Sequence, residues 1–80
     1  MDKKQIEEIL IEIIKEITSK DEVTPEMEFG TDIMLTSLMA MKLLQSLEQK
    51  LDVKDIPTEI LFETETVSDL ADVLSEYVSK

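Results

Sequence analysis

One apolar cluster at the start of a predicted helix is the feature of this sequence that packing explains least well. Leu38, Met39 and Met41 lie within one turn of Ser37 and on the side of the helix away from its core stripe. Exposed apolar clusters often mark a protein contact or a ligand groove, and methionines suit surfaces that adapt to several partners. Alternatively, the long loop before the helix folds over these side chains and buries them. For Met41 this alternative has equal weight. Ser37 itself is a candidate N-cap.

Catalysis and metal binding find little support in the residue types. The chain has no histidine and no cysteine, so the usual general base, the usual soft nucleophile and the usual zinc ligands are missing. A calcium loop beginning at Asp21 fails, because Val23, Pro25 and Met27 occupy positions that need oxygen ligands. Paired carboxylates are common here, but a small helical protein offers little room for a substrate cleft. We therefore expect neither an enzyme nor a metal site.

The charge of the chain limits its partners. Nineteen acidic residues against eight lysines give a net charge of −11, which repels nucleic acid and anionic membrane surfaces. Such a charge favours partners with basic docking patches, although it can also serve solubility alone. Residues 36–51 differ, because Lys42 and Lys50 outnumber Glu48 there. This stretch carries +1 and leaves −12 on the rest of the chain.

Length and hydropathy predict a small helical protein in the cytoplasm. The 80 residues suit a single domain over 1–80, most simply a monomer. The N-terminus lacks the apolar core of a signal peptide, and no apolar run is long enough to span a membrane.

Hydrophobic periodicity predicts three main helices and one short helix. The first helix, with a capping box from Asp2 and Gln5, carries one apolar face at helical spacing: Ile6, Ile9, Leu10, Ile13, Ile14 and Ile17. A second stripe runs to about Leu51, and its members are Ala40, Leu43, Leu44, Leu47 and Leu51. Between these helices lies a long connection over 18–36, which we expect to pack over the core, with a possible helical turn after Pro25.

The second half of the chain predicts the remaining two helices. Pro57 suits the first position of a short helix that runs to about Phe62. Thr66 and Asp69 form a second capping-box pattern ahead of the last helix. That helix has its own apolar face: Val67, Leu70, Ala71, Leu74 and Val78. No strand pattern occurs, so the fold class is all-α.

Residues 32–38, Asp-Ile-Met-Leu-Thr-Ser-Leu, resemble the phosphopantetheine attachment motif of acyl and peptidyl carrier proteins. The pattern of that family is roughly Leu-Gly-x-Asp-Ser-Leu ahead of a helix of Leu-x-x-x-Leu-Glu character. Leu43-Leu44-Gln45-Ser46-Leu47-Glu48 fits this helix. Further matches lie downstream at 56–57, 61–62, 66–67 and 70–71. The resemblance covers about residues 5–78 and implies a four-helix carrier-protein bundle with a long first loop.

The resemblance also implies a cofactor, its attachment point and a set of partners. In the family, a phosphopantetheinyl transferase esterifies the serine with 4'-phosphopantetheine from coenzyme A. Acyl- or aminoacyl-activating and transferring enzymes then use the terminal thiol of the arm to hold thioesters. Ser37 is the matching serine. The matching partner-contact positions are Thr36, Leu38, Met39, Met41 and Ile60.

Two departures from the family pattern keep an alternative open. Thr36 stands where an Asp is usual, and Met34 stands where a glycine is usual. The Asp helps the transferase and its divalent metal to engage the site, so Thr36 bears on how efficiently the chain is loaded. The alternative is a carrier-like interaction module that is never modified. Met39 and Lys42, on a helix that is acidic in fatty-acid carriers, favour a specialised polyketide or nonribosomal peptide pathway over a fatty-acid pathway.

Overall fold

The computed structural model describes residues 2–78, which form four helices. These are α1 over Lys3–Thr18, α2 over Ser37–Leu51, α3 over Glu59–Glu63 and α4 over Val67–Val78. No strand forms within this range, which holds only two isolated bridges. The all-α architecture of three main helices, one short helix and a long first loop is therefore confirmed. None of the described helices has the length and apolar character needed to cross a membrane.

Both predicted capping boxes are present. The Gln5 N–H donates to Asp2 Oδ1 at 2.9 Å, and the Asp2 N–H donates to Gln5 Oε1 at 3.1 Å. At the start of α4, the Asp69 N–H donates to Thr66 Oγ1 at 3.1 Å, and the Thr66 N–H donates to Asp69 Oδ2 at 3.3 Å. Each pair satisfies backbone donors that have no partner inside the helix, so the sequence sets both helix starts locally.

The core lies where α1 packs against α2 and α4. Its fully buried side chains come mainly from the predicted stripes: Ile6, Leu10, Ile13, Ile14, Leu43, Leu47, Val67, Leu70 and Leu74. Ile9 and Ile17 of the first stripe are only partly buried, at the edge of this core. Each fully buried aliphatic side chain contributes about 1.5–3 kcal/mol. Helix packing thus holds α2 rigidly on its buried side and leaves its other side to solvent.

The first loop, residues 19–36, packs over the core as predicted. Ile33 is fully buried and Val23 nearly so. The Gly30 N–H donates to the Ile33 carbonyl at 2.8 Å, and Gly30 has φ +95°. This left-handed conformation favours glycine. Around Pro25 the chain makes only a turn, in which the Met27 N–H donates to the Thr24 carbonyl at 3.2 Å; no helix forms there.

The short helix begins later than the sequence indicates. We predicted Pro57 as its first residue, but α3 begins at Glu59 and spans five residues. The Pro57 carbonyl accepts from the Ile60 N–H at 3.3 Å, so Pro57 belongs to the turn before the helix. Asp55, two residues before Pro57, has φ +61°. The left-handed backbone of Asp55 interrupts a helix, and Pro57 disfavours the helical conformation at Ile56, so this segment stays non-helical.

Candidate functional site

Thr36, and not Ser37, caps α2. Thr36 has the extended φ and ψ of an N-cap, −76° and 168°, and its Oγ1 accepts from the Met39 N–H at 3.2 Å. Its carbonyl accepts from the Ala40 N–H at 2.9 Å, which opens the helical ladder. The prediction that Ser37 is the N-cap is therefore wrong. Two adjacent hydroxyl residues both suit the role, and the backbone turns into the helix one residue earlier than expected.

Ser37 is exposed, and its hydroxyl does not cap the helix. It is the first residue of α2 and lies at the surface. Among residues 2–78, no side chain or backbone group forms a hydrogen bond with its Oγ. The role as a helix cap, which was the simplest explanation of a serine at this position, belongs to its neighbour. The hydroxyl is thus open to a partner enzyme.

The start of α2 is also suited to hold a phosphate. The backbone N–H groups of Ser37 and Leu38 precede the first N–H of the helical ladder, so the helix supplies no acceptor for them. Aligned peptide dipoles add partial positive charge at this end, which stabilises an anion. The first turn of α2 has no acidic residue. A phosphodiester on Ser37 would therefore meet donors and no like charge within that turn, so these residues fit the group.

Four large apolar side chains are exposed on α2, in the first loop and on α3. Leu38 is 62% exposed and Met41 is 53% exposed on α2. Met34 in the first loop and Phe62 on α3 are exposed as well. We call these four residues the apolar surface. The alternative that the first loop buries Leu38 and Met41 is wrong.

The other predicted contact positions divide between the surface and the interior. Thr36 is exposed and Met39 is half-buried. Ile60, by contrast, is only 7% exposed and packs in the core, so the structure does not bring it to the surface. Phe62, two residues further along the five-residue α3, points outward instead. Sequence analysis did not select Phe62 as a site residue. The one signal for its exposure is that it directly follows Ile60 and Leu61, because three consecutive residues of a short helix cannot all face one core.

An apolar groove of about 210 Å³ opens beside the start of α2. Its lining comes from the first loop, α2 and the α3 region: Phe29, Gly30, Met34, Leu35, Ala40, Leu61, Phe62 and Thr64. Met34 and Leu35 precede Ser37, and Ala40 follows it by about one helical turn, so the groove adjoins the serine. No cluster of metal-ligating side chains occurs among the residues described.

The site is an exposed serine hydroxyl at the start of a helix, beside exposed apolar side chains, in a small all-α bundle. Residues 5–74 match the family described as phosphopantetheine attachment site, and the chain belongs to that family. Its cofactor is covalently attached 4'-phosphopantetheine. Carrier proteins of this kind interact with phosphopantetheinyl transferases and acyl-handling enzymes, and the carrier domain is not itself catalytic.

The Thr36 cap gives a first testable prediction. Thr36→Ala removes the oxygen that accepts from the Met39 N–H, so we expect about 1 kcal/mol of destabilisation and a fall in Tm of roughly 4–8 °C. Thr36→Asp keeps an accepting oxygen and adds a negative charge at the helix start, so its Tm should match or exceed that of the wild type. Thermal unfolding followed by circular dichroism measures both. Equal losses in the two variants would show that the Oγ1 hydrogen bond is unimportant.

Proposed function

We propose that Ser37 carries the phosphopantetheine arm and that the chain transports acyl or aminoacyl intermediates as thioesters. The observation that supports this proposal is the exposed Ser37 hydroxyl, left without a hydrogen bond because Thr36 caps the helix. Ser37 also stands at the position of the modified serine in the motif that residues 32–38 resemble. Ser37 therefore has both the sequence context and the physical freedom of an attachment point.

The loading step needs a second protein. The Ser37 oxygen forms a phosphoester bond to the phosphorus that bears the pantetheine arm, and the pyrophosphate bond of coenzyme A breaks. Adenosine bisphosphate leaves with the electrons of that bond. The serine proton must pass to a base, and the chain has no histidine and the first turn of α2 has no carboxylate to accept it. The base belongs to the transferase, so we propose that the chain is a substrate and carrier and not an enzyme.

The residues around Ser37 have distinct roles in this proposal. The first N–H groups of α2 stabilise the phosphate, and the arm supplies a thiol that holds cargo as a thioester. Thr36 positions the serine by fixing where the helix begins. Leu38, Met39 and Met41 contact the enzymes that load and use the arm. Of the partner-contact residues that the resemblance implied, Ile60 is omitted because it is buried.

The charge of α2 supports a proposal about the pathway. Fatty-acid carriers present an acidic second helix, whereas α2 here has no acid in its first turn and an exposed Lys42. A carrier for a specialised polyketide or nonribosomal peptide pathway accounts for that difference better than a fatty-acid carrier does. A single carrier domain over 1–80, a monomer and a cytoplasmic location remain predictions that accompany this proposal.

Intact mass spectrometry tests the proposal directly. The protein is incubated with coenzyme A, magnesium and a broad-specificity phosphopantetheinyl transferase. We expect one addition of the mass of a phosphopantetheine group, which peptide mapping assigns to Ser37. Absence of any addition with several transferases would overturn the arm-bearing function and direct attention to Thr36 and Met34, the two departures from the family pattern.

The exposed apolar surface favours a second candidate, a module that binds partners and is never modified. In that case binding depends on Met41 and not on Ser37. Met41→Glu puts a charge into an apolar contact, so it should weaken partner binding at least about tenfold, while Ser37→Ala leaves binding intact. Gln49→Glu adds the same charge at an exposed position two turns away and serves as control. Calorimetric titration of a partner enzyme compares the three variants, and equal effects of both glutamates would contradict a specific apolar contact.

A further inference from the structure

The exposed charges of α2 are cationic, in a chain that is otherwise strongly acidic. Lys42 and Lys50 are both exposed on this helix. Its only carboxylate, Glu48, is half-buried, and its Oε2 accepts from the Ile56 N–H at 3.2 Å. Glu48 thus helps to hold the segment after α2, and its charge is partly engaged there. An approaching protein therefore meets two exposed lysines and one half-buried, hydrogen-bonded carboxylate on this helix.

Lys42 has no acidic partner of its own. The chain has nineteen acidic residues, yet in the range that the structure describes Lys42 forms no ion pair. Helical neighbours lie three and four residues away, and for Lys42 all four are uncharged: Leu38, Met39, Gln45 and Ser46. The ammonium group is therefore available to a carboxylate of another protein.

Lys42 also adjoins the apolar part of the site. Leu38 stands four residues before Lys42 and three before Met41, so it neighbours both on the helix surface. Leu38 also follows Ser37 directly. Met41 stands four residues after Ser37, so a protein that reaches the Ser37 hydroxyl over this face of α2 lies against Met41, with Leu38 and Lys42 close by. The cation is thus part of the surface that the loading enzyme has to contact.

We propose that the transferase which loads Ser37, and which contacts Leu38 and Met41 in the function proposed above, places a carboxylate and not a basic cluster opposite Lys42. This inference rests on the proposed function. A basic cluster opposite Lys42 would bring like charges together at contact and desolvate them, which costs affinity. A second copy of this chain is a poor occupant of the surface, because each copy carries −11 and the two repel.

The acidity of the other helices does not reverse this preference. The remaining charge of −12 steers basic surfaces toward the chain at long range, but salt screens exposed charges beyond about 8 Å. Steering acts on the encounter, whereas Lys42 acts at contact. Basic residues of the transferase therefore fit best opposite the acidic helices and away from α2.

Charge reversal at two positions of α2 tests the inference. The wild-type protein, Lys42→Glu and Lys50→Glu are each incubated with two transferases, one with a basic docking face and one with an apolar docking face that bears a carboxylate. Lys50→Glu is the matched control, because it makes the same charge change on the same helix. It lies 13 residues from Ser37, about 20 Å along the axis. Both lysines are exposed, so the variants should fold, and circular dichroism verifies this.

We expect the wild type to favour the apolar-faced transferase in kcat/KM. Lys42→Glu should lower that value about tenfold and raise the value for the basic-faced enzyme by a similar factor. Lys50→Glu should change both less than about threefold. Binding of the two transferases to Ser37→Ala variants, with and without Lys42→Glu, should show the same preferences without the chemical step.

Each other outcome overturns a defined claim. If Ser37 loads well but Lys42→Glu and Lys50→Glu act alike, or if the wild type prefers the basic-faced enzyme, the docking inference is wrong and the proposed function stands. If neither transferase loads any variant, the proposed function fails and the inference that rests on it fails too.

Discussion

We expect Ser37→Ala to abolish phosphopantetheine loading, and this is the largest effect on function that we expect from any single substitution. Alanine has no oxygen to form the phosphoester bond, so no rearrangement of the helix start can compensate. Because Thr36 and not Ser37 caps α2, the variant should keep the Tm of the wild type within about 2 °C, in line with the small effects of exposed substitutions. Intact mass after incubation with coenzyme A and transferase measures loading, and circular dichroism measures Tm.

Ser68→Ala is the matched control for this experiment. Ser68 also lies in the first turn of a helix that a threonine precedes, since Thr66 accepts from the Asp69 N–H at the start of α4. We expect Ser68→Ala to load as the wild type does. Loading that persists in Ser37→Ala would refute the assignment of Ser37. Peptide mapping would then show whether Thr36, the other exposed hydroxyl residue at the site, is the acceptor.

Leu47→Ala should remove a large share of the stability of the protein. Leu47 is 0% exposed on the buried side of α2. Truncation of a buried leucine to alanine costs about 2–5 kcal/mol through lost burial and a residual cavity. A small domain has roughly 5–15 kcal/mol in total. At roughly 4–8 °C for each kcal/mol in a domain of this size, Tm should fall by at least about 8 °C. Urea unfolding and thermal unfolding both measure the change.

Leu38→Ala makes the identical chemical change on the same helix at a position that is 62% exposed. The free energy of unfolding should stay within about 0.5 kcal/mol of the wild type, because the Leu38 side chain buries little apolar surface when the protein folds. Equal losses at positions 38 and 47 would show that α2 does not present the buried and exposed sides described above. Together the two variants separate residues that hold α2 in the fold from residues that face partners.

The three main helices were predictable because each one encodes its own pattern, whereas the start of the short α3 was not. The stripe that includes Leu43 and Leu47, and the capping boxes at Asp2 and Thr66, are local signals that need no knowledge of the rest of the chain. The loop over 19–36 was predictable only in part. Its apolar residues indicated contact with the core, but the hydrogen bonds that place them involve residues about forty positions away, which periodicity does not report.

The functional site was also predictable only in part from the local sequence. Thr36 and Ser37 are both good caps, and the choice between them depends on where the first loop delivers the backbone. Ile60, Leu61 and Phe62 are three consecutive apolar residues in a helix of five, so they cannot all face one core. Packing against the rest of the bundle buries Ile60 and Leu61 and leaves Phe62 exposed, an outcome that the local sequence does not determine.

Two backbone hydrogen bonds join the first loop to the start of α4. The Ser68 N–H donates to the Pro25 carbonyl at 2.9 Å, and the Val67 N–H donates to the Met27 carbonyl at 3.2 Å. Amides in the first turn of a helix ordinarily exchange their protons readily with water, because no carbonyl of the same helix protects them. In this molecule the protection of these two amides depends on the loop that leads to Ser37. The loop cannot lift away from the bundle without breaking these two hydrogen bonds, so we expect both amides to lose their protection together when it does.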